Sequence, residues 1–160
     1  MTGGTNPNTD NQLTATNPTG GDRRPSPKTP LISAQMSRMP RRDSGPEMAV
    51  RRALHAAGLR FRVNDRRLPG RPDIVLSRVR LAVFIDGCFW HACPEHGVMP
   101  KNNRGWWRQK LEANVERDRR KDAQLRDQGW FPLHFWEHEA VEDIAARIER
   151  LWRERTGRPA

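Results

Sequence analysis

The stretch that decides the fold is Asp73-Ile-Val-Leu-Ser-Arg-Val-Arg-Leu-Ala-Val-Phe-Ile-Asp86. Two short apolar runs with β-branched residues, 74–76 and 81–85, lie within it. Runs of this length are typical of strands that are buried on both faces, or of the two strands of a hairpin. One aspartate precedes the first run and another follows the second. The sequence therefore predicts a strand pair with an acidic group at one end of each strand.

Upstream of the strand pair, the sequence predicts an amphipathic helix. Ser44 suits its N-cap, Pro46 suits its first turn, and Gly58 suits its C-terminal stop. Residues 61–63 are expected to start a strand, and residues 68–72 to form a turn.

Downstream, a long charged helix is predicted from about residue 105 to residue 128, closed by Gly129. Residues 130–136 indicate a further strand, in which Pro132 favours an edge position or a locally broken ladder. A last helix, about 139–155, places four apolar residues on one face: Ile144, Ile148, Leu151 and Trp152. The predicted fold class is therefore α/β (α+β), a small mixed sheet flanked by helices.

The first 40 residues differ in composition from the rest of the chain. They are rich in Thr, Asn, Gly and Pro and contain almost no aromatic residues, which predicts a disordered, basic N-terminal tail. The ordered domain is predicted to span residues 41–156.

The charge balance favours a polyanionic partner. The chain has 29 Lys and Arg against 19 Asp and Glu, a formal charge of +10. Such an excess attracts phosphates and releases their counterions, although a solvated surface is the simpler alternative. The longest apolar run, residues 81–85, is too short to span a bilayer, so the protein is expected in the cytoplasm, without contact with a membrane.

Three acidic residues are candidates for a catalytic metal site. Asp73 and Asp86 lie at neighbouring strand ends, and Glu47 is close to the start of the first helix. Phosphodiester hydrolysis uses such an oxygen cage around a divalent ion. Taken singly, each aspartate is more simply explained as a turn former, because it neighbours Pro or Gly.

His91 follows Asp86 by five positions, in the segment Phe89-Trp90-His91. A neutral imidazole there could move a proton to or from the reacting oxygens, because its pKa lies near the working pH. The spacing alone leaves open whether His91 is such a group or a zinc ligand.

A possible zinc cluster follows. The spacing Cys88-x4-Cys93-x2-His96, with His138 much later, supplies two thiolates and two imidazoles. Four such ligands suit a closed, tetrahedral, structural zinc site. The alternative is that the two cysteines are small core residues with reduced thiols.

Aromatic and charged runs complete the candidates. Phe89-Trp90 and Trp106-Trp107 flank a basic loop, and could wedge into a base stack or belong to the core, with one member of each pair buried. Residues 114–120 form a dense charge run on a helix, which is either a solvated face or a DNA-contacting one. Its candidate DNA contacts are Asn114, Arg117, Arg119 and Arg120.

Taken together, these motifs resemble a known family. The segments Leu68-Pro-Gly-Arg-Pro-Asp73-Ile, Phe84-Ile-Asp-Gly-Cys-Phe-Trp-His91, Asn114-Val-Glu-Arg-Asp-Arg-Arg120, Gly129-Trp130 and Trp136-Glu-His138 occur in this order. They closely resemble the very-short-patch repair (Vsr) DNA mismatch endonucleases. The resemblance covers roughly residues 36–152.

The resemblance implies a fold similar to type II restriction endonucleases. It also implies Mg²⁺-dependent cleavage 5′ of the thymine in a T·G mismatch, which starts the repair of deaminated 5-methylcytosine. A cytosine methyltransferase in the same cell would be a functional partner, and a monomer is expected.

The resemblance also assigns residues. Asp73 and the Ile85 backbone carbonyl correspond to the family's magnesium ligands, Glu47 to its helix glutamate, and His91 to its catalytic histidine. The family's wedge maps onto Phe89, Trp90 and Trp107, and its zinc ligands onto Cys88, Cys93, His96 and His138.

Two departures from the family pattern concern the site. Asp86 stands where a histidine also occurs in the family, and it could bind metal directly or only tune His91. The segment Ala92-Cys-Pro-Glu-His96 replaces a His-rich run. Two rival functions remain at this point: a nuclease of the same fold that acts on intact duplex, and a zinc-supported DNA-binding protein without catalysis.

Overall fold

The computed structural model describes residues 43–157, and the predicted tail at residues 1–40 lies outside them. The elements follow the predicted order of helix, three strands, helix, strand and helix. They are α1 (Gly45–Ala56), β1 (Arg62–Val63), β2 (Ile74–Leu76), β3 (Leu81–Asp86), α2 (Arg104–Asp127), β4 (Phe131–Trp136) and α3 (Val141–Thr156). A 3-10 turn, Ser77–Val79, joins β2 to β3.

The four strands form one mixed sheet in the order β1-β2-β3-β4. Strands β1 and β2 pair antiparallel, as do β2 and β3, whereas β3 and β4 are parallel. The apolar runs at 74–76 and 81–85 are thus a hairpin, one of the two predicted alternatives. A parallel pair needs a crossover connection, and the 24-residue helix α2 lies in the one between β3 and β4.

The sheet confirms the edge position that Pro132 predicted for β4. It lies opposite Ala82 in the register, and β4 is the last strand in the order. Proline lacks the N–H that a second neighbouring strand would require, so an edge position is compatible with it.

Helix α1 begins and ends as its capping residues predict. The Ser44 hydroxyl accepts a bond from the Glu47 N–H at 3.5 Å, and donates to Glu47 Oε1 at 2.9 Å. The Glu47 carboxylate also accepts from the Asp43 N–H at 3.0 Å. At the C-terminal end Gly58 has a φ of +78°, a conformation that glycine adopts without strain.

The main core lies on one face of the sheet, between the strands and the helix pair α1 and α3. Val50 and Leu54 of α1, and Ile144 and Ile148 of α3, are buried in it. Leu151 and Trp152 pack against it partly buried, so the predicted apolar face of the last helix is confirmed.

Helix α2 packs on the opposite face of the sheet. Leu133 and Phe135 of β4 belong to the main core, so His134 between them points to the other side. There it contacts Asp122 of α2. Within residues 43–157, no helix is long and apolar enough to cross a membrane.

Candidate active site

The Asp73 carboxylate is anchored to strand β3. Its Oδ2 accepts a hydrogen bond from the Ile85 N–H at 2.8 Å. Burial raises the pKa of Asp73 to about 6, against the lowering effect of this bond, and the charges of Glu47 and Asp86 raise it further. Glu47 and Asp86 therefore lie close enough for their charges to act on the Asp73 carboxylate.

Arg51 connects helix α1 to this acidic group. Its Nη2 donates to Glu47 Oε2 at 3.1 Å and to the Asp73 backbone oxygen at 3.2 Å, and its Nη1 contacts Asp43. Glu47 and Arg51 are each only 7% exposed. A buried charge needs partners of this kind, and here they hold the first turns of α1 against the start of β2.

His91 lies between two aspartates. Its Nδ1 is 2.9 Å from Asp118 Oδ2 and 3.6 Å from Asp86 Oδ1. Lys121 contacts the other oxygen of Asp118 at 3.4 Å. Within residues 43–157, the His91 ring makes its polar contacts through Nδ1. Nε2 therefore remains available to a substrate.

Asp86 also contacts a second histidine. Its Oδ2 lies 2.6 Å from His134 Nδ1, and His134 Nε2 lies 3.0 Å from Asp122 Oδ1. Burial lowers the pKa of His134, but the bonds and charges of Asp86 and Asp122 outweigh it and raise this pKa to about 9. The site therefore contains an Asp–His–Asp chain in addition to the Asp118–His91 pair.

The oxygen donors at Asp73 fit a hard divalent ion. In a strand, the N–H and C=O of one residue point to the same side. Because the Ile85 N–H bonds to Asp73, the Ile85 carbonyl also faces the strand edge where Asp73 lies. A carboxylate and a carbonyl are the ligand types that Mg²⁺ prefers. However, Cys88, Cys93, His96 and His138 are the group that is close enough to share one metal ion among residues 43–157. The carboxylates of Glu47, Asp73 and Asp86 do not form such a group there.

The four predicted zinc ligands do converge. The ligand atoms of Cys88, Cys93, His96 and His138 all lie within 4.8 Å of one another. Cys88 Sγ is 3.1 Å and Cys93 Sγ is 3.8 Å from His138 Nδ1. Zinc bonds of 2.0–2.3 Å in a tetrahedron place ligand atoms about 3.3–3.8 Å apart. The two sulfur–His138 distances are close to this spacing, and the limit of 4.8 Å for the whole cluster is somewhat wider.

The surroundings of this cluster support metal binding. His138 Nε2 faces Glu95 Oε2 at 3.5 Å, and a ligating histidine usually gives its second nitrogen such a carboxylate partner. The His96 N–H donates to Cys93 Sγ at 3.4 Å. By contrast, burial, followed by the Cys93 thiol and the Glu137 charge, raises the pKa of Cys88 to about 11, so this thiol has to release its proton when it binds a metal.

The predicted wedge residues form one aromatic cluster beside the site. Ring centroids are 5.0 Å apart for Phe89 and Trp90, and 5.2 Å for Phe89 and Trp107. The prediction that one member of each adjacent pair is buried is wrong. Trp90 is 38% exposed, and Phe89, Trp106 and Trp107 are all half-buried. They stack mainly on one another at the surface, with T-shaped contacts that also join Trp106 to Trp107.

Asn114 differs from the arginines of its run. It is 6% exposed; its Nδ2 donates to the Trp90 carbonyl at 3.2 Å and its Oδ1 accepts from Arg117 at 2.8 Å. Arg117, Arg119 and Arg120 are exposed. Their contact with DNA stays a prediction, whereas the Asn114 amide here links helix α2 to the aromatic cluster.

Several residues of the site were not singled out from the sequence. They are Arg51, Asp118, Asp122, His134 and Glu137, whose Oε1 accepts from the Cys88 N–H at 2.7 Å. One available signal was the spacing of Asp118 and Asp122, which places both carboxylates on one face of α2.

Comparison with known proteins agrees with this geometry. The family model described as DNA mismatch endonuclease Vsr matches residues 30–95. Type II nicking enzyme V.NaeI of Lentzea aerocolonigenes is 42% identical over 129 residues, 78% of each chain. Type II nicking enzyme V.XorIIP of Xanthomonas oryzae pv. oryzae is 42% identical over 118 residues, 72% of this chain and 85% of the relative.

A third relative carries the family's own name. DNA mismatch endonuclease Vsr of Escherichia coli K12 is 41% identical over 107 residues, 66% of this chain and 68% of the relative. Together with the family match, these identities and coverages establish that the chain belongs to the Vsr family of DNA mismatch endonucleases.

Proposed function

We propose that this protein nicks one strand of duplex DNA 5′ of the thymine in a T·G mismatch, and so starts very-short-patch repair of deaminated 5-methylcytosine. The observation that carries the proposal is the aromatic cluster at the surface, whose exposed member, Trp90, directly precedes His91. A restriction-endonuclease-like fold, a monomeric state and a functional link to a cytosine methyltransferase belong to the same proposal.

His91 moves the proton in this reaction. Asp118 at Nδ1 fixes the orientation and tautomer of the ring, so Nε2 is the atom that exchanges a proton with the attacking water or the leaving oxygen. Asp86 Oδ1, 3.6 Å from Nδ1, stabilises the ring when it is charged.

Asp73 and the Ile85 carbonyl are the residues that would hold Mg²⁺, with Glu47 and Asp86 nearby. When bound, the ion lowers the pKa of water and neutralises charge that develops on the phosphate. Arg51 keeps α1, and with it Glu47, in place beside this site.

The aromatic cluster recognises the mismatch because the mispaired bases stack weakly on their neighbours. Opening a base step costs a few kcal/mol, and less at a mispaired step. Trp90, the most exposed of these rings, enters the step, and Phe89 and Trp107 support it. Arg117, Arg119 and Arg120 contact the phosphate backbone. The cysteine–histidine cluster holds a structural Zn²⁺ that keeps the segment after β3 next to the start of α3.

The test is the ratio of cleavage rates on T·G and T·A duplexes of otherwise identical sequence. Trp90→Ala should lower the T·G rate strongly and leave the slow T·A rate nearly unchanged. Phe131→Ala is the matched control. Phe131 is an aromatic residue as exposed as Trp90, at 40%, but it lies at the first position of β4, at the other end of the strand from Trp136. An unchanged ratio in Trp90→Ala, Phe89→Ala and Trp107→Ala alike would remove the wedge from the proposal.

The alternative substrate is intact duplex, as a restriction-type nuclease would cut. It predicts equal rates on the T·G and T·A duplexes. The names of the nicking-enzyme relatives describe single-strand cleavage without a stated mismatch.

A further inference from the structure

His134 bridges two carboxylates that belong to different parts of the fold. Its Nδ1 lies 2.6 Å from Asp86 Oδ2 at the end of β3, and its Nε2 lies 3.0 Å from Asp122 Oδ1 on α2. The ring also stacks on Phe84, with centroids 4.7 Å apart and planes within 9°. Its position is therefore fixed from three sides.

Both nitrogens of His134 must donate for both bonds to form. Carboxylate oxygens only accept, so the bridging ring is doubly protonated. The elevated pKa of His134, about 9, agrees with this protonation at neutral pH. Asp86 thus has a fixed cationic donor on one oxygen.

The bond to His134 determines what the other oxygen of Asp86 can do. With Oδ2 held by His134, Oδ1 is directed toward His91 Nδ1 at 3.6 Å. The same Nδ1 of His91 lies 2.9 Å from Asp118, which precedes Asp122 by one helical turn on α2. One face of α2 therefore contacts both histidines directly, His91 through Asp118 and His134 through Asp122.

We propose that His134 is a positioning residue for DNA cleavage: by holding Asp86 Oδ2 it keeps Asp86 Oδ1 against His91. The inference rests on the proposed role of His91 in hydrolysis. It assigns His134 no contact with DNA.

The competing role is a strap that only ties β4 to α2. The two roles depend on different nitrogens of the ring. Positioning needs the Nδ1 donor toward Asp86, whereas a strap needs the Nε2 donor toward Asp122. Substitution by Asn or Gln distinguishes the two roles. The Asn amide nitrogen occupies roughly the place of Nδ1, and the Gln amide nitrogen occupies roughly the place of Nε2.

The experiment compares His134→Asn, His134→Gln and His134→Phe. Phe keeps the ring that stacks on Phe84 but donates nothing. Single-turnover cleavage rates at saturating protein, the Kd for the same duplex and the melting temperature are measured for each. We expect Asn to stay within about 3-fold of the wild-type rate, and Gln and Phe to lose about 10- to 100-fold, as for other small misplacements of catalytic groups. All three Kd values should stay close to that of the wild type.

The ranking of the variants decides the matter. Gln cleaving as fast as or faster than Asn, or Phe cleaving at the wild-type rate, overturns the proposal. Melting temperatures show whether a slow variant is folded; if Gln or Phe is unfolded, the rate of Asn against Asp122→Asn, which weakens only the strap, gives the same comparison.

The rates are measured on both T·G and T·A duplexes. Wild-type protein that cuts both equally would refute the mismatch proposal. The cleavage rates of His134→Asn and His134→Gln could still be compared on either duplex. Failure of the mismatch proposal is therefore distinguishable from failure of the positioning proposal.

Discussion

Nδ1 of His91 lies 2.9 Å from Oδ2 of Asp118, a residue 27 positions later in the chain, on helix α2. In the proposed mechanism this contact orients His91 as the proton carrier, because a hydrogen on Nδ1 leaves the Nε2 lone pair for the substrate. The central part of the site is therefore assembled from β3, the segment that follows it, and one face of α2.

Asp118→Asn should slow cleavage without weakening binding. The amide no longer supplies a negative charge to His91, and general acid–base catalysis contributes about 100- to 10,000-fold in total. We expect a loss of about 10- to 100-fold in single-turnover rate, with an unchanged Kd. Asp127→Asn, in the exposed last residue of the same helix, is the control. Equal rates for the two variants would show that Asp118 does not act through His91.

Asp73→Asn should abolish cleavage and yet stabilise the protein. Burial raises the pKa of Asp73 from 3.8 to about 6, so the ionised form costs folding free energy at neutral pH. At 1.36 kcal/mol per pKa unit, the gain is about 3 kcal/mol at most. Asn also keeps an oxygen that can accept from the Ile85 N–H.

The sign of the pH dependence tests this explanation. The folded protein binds a proton at Asp73 that the unfolded chain has lost, so wild-type stability decreases as the pH rises from 3.8 through 6. The advantage of Asp73→Asn should be full above pH 6 and vanish near pH 3.8. Thermal melts in magnesium-free buffer measure it, and a pH-independent difference would contradict the burial of an ionised Asp73.

Cys88→Ser should lower both zinc content and melting temperature. A structural zinc site contributes folding free energy, and serine is a poor replacement for a thiolate ligand. His55→Ala, at an exposed residue of α1 outside the cluster, is the control for a surface substitution and should change neither quantity. Metal analysis that finds no zinc in carefully purified wild-type protein would contradict the assignment.

Gly97→Ala should disturb the same cluster without removing a ligand. A Cβ at residue 97 would lie 2.3 Å from the Cys93 backbone oxygen, so the turn between Cys93 and His96 must shift. Gly105→Ala is the matched control, since nothing lies within 4 Å of its added Cβ. Zinc content and melting temperature should decrease in the first variant only. Full zinc occupancy in Gly97→Ala would show that this turn does not shape the site.

Local sequence signals predicted most of the elements. The Ser44 cap, the β-branched runs at 74–76 and 81–85 and the apolar spacing of Ile144 and Ile148 each lie within one element, where short-range chemistry decides the structure. Pro132 even indicated the edge of the sheet.

The contacts that complete the site were not accessible in this way. Asp118 with His91, and His134 with Asp86, are 27 and 48 residues apart, and depend on the parallel pairing of β4 with β3 and the packing of α2. In the sequence, Asp118 lies within the charge run at 114–120 and Asp122 lies two residues beyond it, and neither differs from its charged neighbours. The burial of the aromatic pairs also depends on packing, and it was predicted wrongly.

The position of the nick is the sharpest test of the proposed cleavage. Wild-type protein with Mg²⁺ is incubated with T·G and T·A duplexes labelled on each strand in turn, and the products are sized under denaturing conditions. The proposed function predicts a single product, cut in the thymine strand immediately 5′ of the mispaired thymine, and at most slow cleavage of the T·A duplex. Cuts in both strands, or equal cleavage of the two duplexes, would contradict it.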